Sequence, residues 1–216
     1  MRIDKRELTF VLLTVAVTAL GWGYTFLRGE LGLFRQILVP FSFVTLGMLV
    51  KYGDQAFDTG SFDRRAATLL AVPGGLWMGS LIVLDMDSAT IFTGLLLALL
   101  VAAKYDNFAF RLSFAIAGTM ALASFLVHPT APEWLAALPV FGAALVDERV
   151  NDLEWVEEPR GWRGELLAQR PFLKVAVLCL CLLGALSSFL YFFAFLGFDF
   201  AYSWVESVSR RRSGHG

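Results

Sequence analysis

Five of the long apolar runs of this chain have no charged side chains. Asp, Glu, Lys, Arg and His are all absent from 8–26, 37–50, 66–84, 89–103 and 112–127. Pumps and ion-coupled transporters commonly keep such a residue near the middle of the membrane, where it is costly and functional. The absence therefore favours binding or chemistry at the helix ends over ion-coupled transport through the middle. It leaves open a channel lined by neutral groups.

Cysteine is scarce as well. Cys179 and Cys181 are two positions apart in one apolar run, and on a helix that spacing points them about 200° apart. They therefore form neither a disulfide with each other nor a joint metal site. The formal net charge of −1 gives no indication of a nucleic-acid partner.

Apolar residues are abundant and are gathered into long runs. The chain is 57% hydrophobic, whereas a soluble domain is about 45–50% apolar. This pattern predicts an all-α membrane protein, a polytopic bundle of about seven transmembrane helices that forms a single domain over 1–216. The predicted helices are 8–26, 37–52, 66–84, 89–103, 108–127, 133–146 and 172–197, with a cytosolic loop at 147–171 and a basic C-terminal tail at 205–216.

A short motif occurs twice, each time after an apolar run. The chain reads KYGDQAF at 51–57 and KYDNFAF at 104–110, so lysine, tyrosine, alanine and phenylalanine match without a gap. A third run ends in the acidic segment 147–152, which lacks the lysine–tyrosine pair. We interpret this as three two-helix hairpin repeats plus a final helix. The ends of helices 2, 4 and 6 would then lie on one face.

The distribution of lysine and arginine predicts the orientation. With a cytosolic N-terminus and seven spans, 13 of the 18 basic residues lie inside, as the positive-inside rule requires. The sequence therefore predicts a multi-pass protein of the plasma membrane with a cytosolic N-terminus. Arg210, Arg211 and Arg212 would lie outside and oppose the rule, and six spans with a re-entrant segment would remove that conflict.

The acidic helix ends are suited to bind a divalent cation, since carboxylate and amide oxygens are the ligands that Mg²⁺ and Ca²⁺ prefer. The predicted metal ligands are Asp54, Asp58, Asp106, Asn107, Asp147 and Asp152, of which Asp54, Asp58, Asp106 and Asp147 are also candidate catalytic residues. The predicted substrate contacts are Lys51, Lys104, Arg64, Arg65, Tyr52 and Tyr105. Mg²⁺ or another divalent cation would position a phosphorylated lipid for transfer or hydrolysis.

The placement of these acids resembles that in the UbiA-type intramembrane prenyltransferases. Asp54, Asp58 and Asp63 follow helix 2, and Asp147 and Asp152 follow helix 6. The resemblance implies two aspartate-rich motifs that use Mg²⁺ to hold a prenyl pyrophosphate. The spacing departs from the family's pattern, in which the acids of the first motif are three and four apart after an asparagine. Here the gaps are four and five after Gly53.

Two other functions are compatible with the same residues. In a transporter or channel for a small solute or ion, the lysines and acids would form a charge network that opens and closes the cytosolic mouth. In a membrane subunit, the acidic face and the loop from Trp155 to Trp162 would dock a partner protein. A purely structural interpretation also applies, because helices that leave a membrane normally end in charged, solvated residues. The oligomeric state is not indicated.

Overall fold

The computed structural model describes residues 5–29, 31–104, 107–127, 133–153, 156 and 162–213. Within these residues the chain is helical and contains no strand, as the all-α prediction requires. The helices are α1 Lys5–Arg28, α2 Leu33–Asp58, α3 Arg64–Leu84, α4 Met86–Val101, α5 Phe108–Val127, α6 Trp134–Asn151, α7 Trp162–Ala168, α8 Pro171–Leu182 and α9 Leu190–Ser213.

Three of the described helices, α2, α3 and α5, are long and apolar enough to cross a membrane. The segment Leu12–Arg28 of α1, helix α4 and helix α8 are shorter apolar helices. Many large apolar side chains are exposed, among them Leu20 and Leu27 on α1 and Phe34 on α2. Water-soluble monomers rarely expose large apolar patches, so the exposed side chains together with the three long apolar helices indicate association with a membrane.

The helices group into two compact units. Unit 1 comprises Met1–Gly74 and Ser188–Gly216, and unit 2 comprises Gly75–Ser187. The boundary between the units therefore lies inside α3, and the single domain stays a prediction. Unit 1 is discontinuous in sequence because α9, the last helix, packs most extensively on α2, the second helix.

In unit 1, α2 and α9 run parallel and approach each other closely at Gly47. A Cβ at Gly47 would overlap the main-chain carbonyl oxygen of Phe198. Further along, Lys51 contacts Tyr202 and Gln55 contacts Ser209, so positions increase together on both helices. Glycine lets the two backbones meet here, as small residues do in membrane helix pairs.

Helix α1 runs antiparallel to α9. Gly21 packs on the ring of Phe193, and Thr18 packs beside Gly197. The N-terminal end of α1 therefore lies at the same end of unit 1 as the C-terminal ends of α2 and α9.

A tryptophan satisfies the carbonyl that Pro40 leaves open in α2. Proline has no N–H, so Pro40 provides no helical donor to the carbonyl oxygen of Gln36, four residues earlier. The indole N–H of Trp22, on α1, donates to that oxygen at 2.8 Å. An unpaired carbonyl is costly away from water, so this bond both compensates for the proline and fixes α1 on α2.

In unit 2, α4 is buried along most of its length and runs parallel to α6. The N–H of Glu133 donates to the hydroxyl of Thr90 at 3.2 Å. One turn later, a Cβ at Gly94 would lie 2.8 Å from the carbonyl oxygen of Ala137. A glycine thus allows a close helix approach here too.

Helix α3 makes a close contact with α5 at Gly75, two residues after Pro73. A Cβ there would lie 2.7 Å from the carbonyl oxygen of Ser113 on α5. Gly79, one turn further along α3, packs on Met120 of α5. The GxxxG spacing of the two glycines therefore seats α3 on α5.

The structure has two helices where the sequence predicts one over 172–197. Helix α8 ends in a Schellman motif: Gly184 has φ +71°, its N–H donates to Cys181, and the N–H of Ala185 donates to Leu180. Glycine adopts this left-handed conformation without strain, so it terminates the helix. Helix α9 then begins at Leu190 and continues to Ser213.

Other boundaries also differ from the predicted ones. Helix α2 extends to Asp58 and α6 to Asn151, so the acids after helices 2 and 6 lie largely on helical turns. The predicted loop 147–171 contains α7. Residues 205–213 of the predicted tail form the last turns of α9.

Candidate functional site

The first motif lysine is held by the final helix of the chain. Lys51 Nζ lies 3.3 Å from Glu206 Oε2 and donates to the hydroxyl of Tyr202 at 3.4 Å. The same ammonium lies 4.5 Å from the centre of the Tyr202 ring. Because only 12% of the lysine side chain is exposed, this is a shielded charge with an ionic, a polar and a cation–π partner.

Asp54 belongs to the same group. The hydroxyl of Tyr202 donates to Asp54 Oδ2 at 3.3 Å, so Tyr202 connects Lys51 to Asp54. Lys51 and Asp54 are three residues apart on α2, and Tyr202 and Glu206 are four apart on α9. These spacings place each pair on one helix face. We call these four residues the charge network of unit 1.

The electrostatics of Glu206 follow from this arrangement. Burial acts to raise the pKa of Glu206, but the positive charges of Lys51 and Arg210 outweigh it and hold the pKa below its ordinary value. Arg210 contacts the second carboxylate oxygen at 2.6 Å, one turn along α9. Glu206 is therefore ionised at neutral pH and bridges two cations.

Uncharged polar groups extend the contact towards the end of α2. Ser209 donates to Gln55 Oε1 at 2.6 Å, and its hydroxyl lies 3.1 Å from that of Thr59. Ser61, in the α2–α3 loop, donates to the main-chain oxygen of Ser209 at 3.3 Å. These bonds fix the loop and the end of α9 to each other.

The other site residues predicted near the first motif lie at the end of unit 1 that holds the charge network. Arg64 donates to the carbonyl oxygens of Ala56 and Phe57, at 3.3 and 3.2 Å, and thereby caps α2. Tyr52 packs on Phe62, with ring centres 4.6 Å apart. Asp58 and Arg65 are exposed.

At the second motif, Lys104 pairs with a carboxylate on the segment that follows α6. Its Nζ lies 2.6 Å from Asp152 Oδ1, and the two side chains are 40% and 48% exposed. Tyr105 and Asp106 lie outside the described residues. Asn107 Oδ1 accepts the N–H of Phe110 at 2.7 Å, which caps the N-terminus of α5.

The third acidic segment docks α8. Both carboxylate oxygens of Asp147 accept main-chain N–H groups at the start of α8, from Phe172 at 3.2 Å and Leu173 at 2.7 Å. The neighbouring Glu148 pairs with Arg170 at 3.1 Å. An acid at a helix N-terminus satisfies donors that have no helical partner, so Asp147 of α6 caps another helix.

Asp147 has an unusual acidity because it is only 1% exposed. Burial raises its pKa to about 6, although the N–H groups of Leu173 and Phe172 and the charges of Arg170 and Lys174 act in the opposite direction. The carboxyl therefore changes protonation within a mildly acidic range.

The predicted site residues thus belong to different units. Lys51, Tyr52, Asp54, Asp58, Arg64 and Arg65 lie in unit 1, and Lys104, Asn107, Asp147 and Asp152 lie in unit 2. Among the residues that the structure describes, no group of three or more His, Cys, Asp or Glu side chains has the proximity needed for a metal ion. A shared cation site stays a prediction.

Sequence reasoning missed the α9 residues Tyr202, Glu206 and Ser209. The available signal is their spacing, since these positions recur every three to four residues and share one helix face. The chain matches no known protein family, no curated protein and no solved structure.

Proposed function

We propose that this protein conducts or transports a small solute or ion, and that lysine–acid contacts between parallel helices control the passage. The observation that carries the proposal is the charge network of unit 1. Lys51 of α2 is shielded from solvent and pairs with Glu206 of α9, 155 positions later in the chain. Such a contact holds two helix ends together when formed and releases them when exchanged for water or a solute ion.

A similar contact supports the proposal in unit 2. Lys104, the lysine of the second motif, pairs with Asp152 just after α6, which runs parallel to α4. In both units the motif lysine follows an apolar run and bonds an acid near the end of a parallel helix. The repeated sequence therefore corresponds to a repeated type of contact, which a merely solvated helix end does not require.

The topology in this proposal is multi-pass, in the plasma membrane, with a cytosolic N-terminus. We propose eight passes instead of about seven, because α8 and α9 replace one predicted helix. Helix α8 has 12 residues and is about 18 Å long, less than a bilayer core of about 30 Å. Residues 183–189 would complete its pass. An even number of passes puts Arg210 and Arg212 on the cytosolic side, in accord with the positive-inside rule.

A cation-dependent reaction on a phosphorylated lipid has less support from the geometry. Both oxygens of Asp147 accept main-chain N–H groups, and Asn107 Oδ1 caps α5. Asp54 accepts from Tyr202. These oxygens are engaged within the protein, so a cation would have to displace those bonds.

Flux through proteoliposomes tests the proposal. The purified chain is reconstituted, and stopped-flow light scattering records entry of potassium chloride, glycine and glycerol. We expect at least one probe to enter faster than into protein-free vesicles. Lys51→Glu and Glu206→Lys each place like charges together, so each should change that rate by about tenfold, which corresponds to about 1.4 kcal/mol. The double swap should restore it.

Arg35→Gln, in the first turn of α2, is the matched control and should leave the rate unchanged. Size-exclusion profiles establish that every variant is folded. The proposal fails if no probe enters faster than into empty vesicles. It also fails if folded charge-reversal variants transport like the wild-type protein.

A further inference from the structure

The basic end of unit 1 combines arginines from two distant parts of the chain. Arg64 and Arg65 begin α3, and Arg210 and Arg212 end α9. The bond from Ser61 to the carbonyl oxygen of Ser209 joins the two parts. Sequence alone separates them by about 145 positions and gives no reason to combine them.

Aromatic side chains hold the guanidinium of Arg212 in place. The guanidinium of Arg212 lies 5.1 Å from the centre of the Phe62 ring. Tyr52 packs on the same ring, with centres 4.6 Å apart. Phe62 is therefore a platform that orders Arg212 while the arginine remains exposed.

The carboxylates at the basic end of unit 1 do not neutralise its positive charge. Residues 204–213 contain Glu206 and three arginines, a formal charge of +2, and residues 57–66 contain two acids and two arginines, a formal charge of zero. Asp63 Oδ1 accepts the N–H of Arg65 at 2.8 Å, and Glu206 pairs with Lys51 and Arg210. The Arg210 side chain remains 67% exposed.

Trp204 sets the depth of this end in the membrane. It is 51% exposed on α9, and exposed tryptophan is typical of the membrane–water interface. Arg210 follows six residues later, which is about 9 Å along a helix. A helix that places Trp204 in the interface therefore places Arg210 and Arg212 at the level of the lipid phosphates.

We propose that this basic end, formed by Arg64, Arg65, Arg210 and Arg212 around Phe62, binds the headgroups of anionic phospholipids. Guanidinium groups form paired hydrogen bonds with phosphate oxygens, and clustered basic residues next to a membrane helix recognise anionic lipids. The binding holds the α2–α3 loop and the end of α9 in the same leaflet. It does not depend on solute passage.

Lipid retention by the full-length protein tests this inference. The purified chain is equilibrated with mixed micelles that contain equal amounts of phosphatidylglycerol and phosphatidylcholine, washed on an affinity resin, and its retained lipid is quantified. We expect at least about fivefold enrichment of phosphatidylglycerol, the effect of about one exposed arginine near anionic headgroups. Enrichment should decrease in about 0.5 M salt, which screens surface charge.

The variant R65Q/R212Q should lose most of the enrichment, and Phe62→Leu, which removes the platform, should lose part of it. The matched control is R28Q/R35Q, which removes two exposed arginines at the opposite end of unit 1 and should retain it. Should R65Q/R212Q not elute as a single folded species, R65Q alone replaces it. Retention at the bulk lipid ratio, or equal losses in test and control variants, would overturn the inference.

Discussion

Trp22 donates its indole N–H to the carbonyl oxygen of Gln36, the oxygen that Pro40 leaves without its helical donor. This bond joins α1 to α2, and it is needed because the proline of α2 has no N–H. We expect Trp22→Phe to lower the free energy of unfolding by about 1–3 kcal/mol, because the oxygen loses its partner. Thermal unfolding in detergent measures the change.

A second substitution distinguishes this explanation from lost packing. Pro40→Ala supplies the missing main-chain N–H, so it should stabilise the Trp22→Phe variant more than it stabilises the wild-type protein. Trp204→Phe, at an exposed position, is the matched control and should cost little. Additive effects of Trp22→Phe and Pro40→Ala would show that the two residues are not coupled.

The approach of α2 to α9 at Gly47 predicts a strong effect of a single methyl group. Gly47→Ala would place its Cβ against the carbonyl oxygen of Phe198, and forced overpacking costs about 1–3 kcal/mol. Gly23→Ala, where no atom lies within 4 Å of the new Cβ, should be neutral or slightly stabilising. Equal melting temperatures for the two variants would contradict the described packing.

The two motif lysines should differ in their contribution to stability. Lys51→Met removes the shielded one of the two cations that Glu206 bridges, and we expect a cost of about 2 kcal/mol. Lys104→Met removes an exposed pair, which is worth less than about 1 kcal/mol. Double-mutant cycles with Glu206→Gln and Asp152→Asn measure both coupling energies, and a larger coupling for the exposed pair would refute this ranking.

Asp147 predicts a pH dependence of stability. Its folded-state pKa of about 6 is above the ordinary value of 3.8, so the folded state binds the proton more tightly than the unfolded state. The contribution of Asp147 to the free energy of unfolding is therefore fully present below about pH 4 and is lost as pH rises through about 6. The loss is about 3 kcal/mol at most. Asp147→Asn should remove this dependence, and Asp152→Asn, an exposed control, should retain it. Melting temperatures between pH 4 and 8 measure the difference.

Divalent cations provide a test of the reaction predicted from the acidic helix ends. Because Asp54 and Asp147 are engaged with protein groups, we expect Mg²⁺, Mn²⁺ and Ca²⁺ to produce no rise in melting temperature that depends on Asp54. A cation that stabilises the wild-type protein but not the Asp54→Asn/Asp106→Asn variant would establish a metal site, since a ligand of the folded state raises stability by mass action. Phosphorylated lipids would then be the substrates to examine.

The helical class and most helix positions could be predicted because they depend on local hydropathy. The break at Gly184 could not, since apolar residues continue on both sides and only the glycine indicates a turn. Hydropathy measures transfer into the membrane and carries no information on backbone conformation. For the same reason the apolar content of 172–197 predicts a single helix.

The polar chemistry of the helix ends could be predicted from the sequence, but the residues that contact these polar groups could not. The sequence identifies Lys51 and Asp147 as notable polar groups, while their contacts, Glu206 and the start of α8, are set by long-range packing. Glu206 lies among arginines in a segment that resembles a charged tail. Asp147 acts as a cap only because α8 begins beside it, a relation that no local pattern encodes.

The discontinuity of unit 1 also has a consequence during synthesis. Helices α1 and α2 leave the ribosome well before α9, which covers the polar face of α2. At a synthesis rate of about 5–20 residues per second, Tyr202 and Glu206 are made on the order of ten seconds after Lys51 and Asp54. During that interval Lys51 and Asp54 lack the contacts with Tyr202 and Glu206 that they make in the folded protein, so the insertion machinery or the surrounding lipid headgroups must accommodate their charges until α9 is inserted.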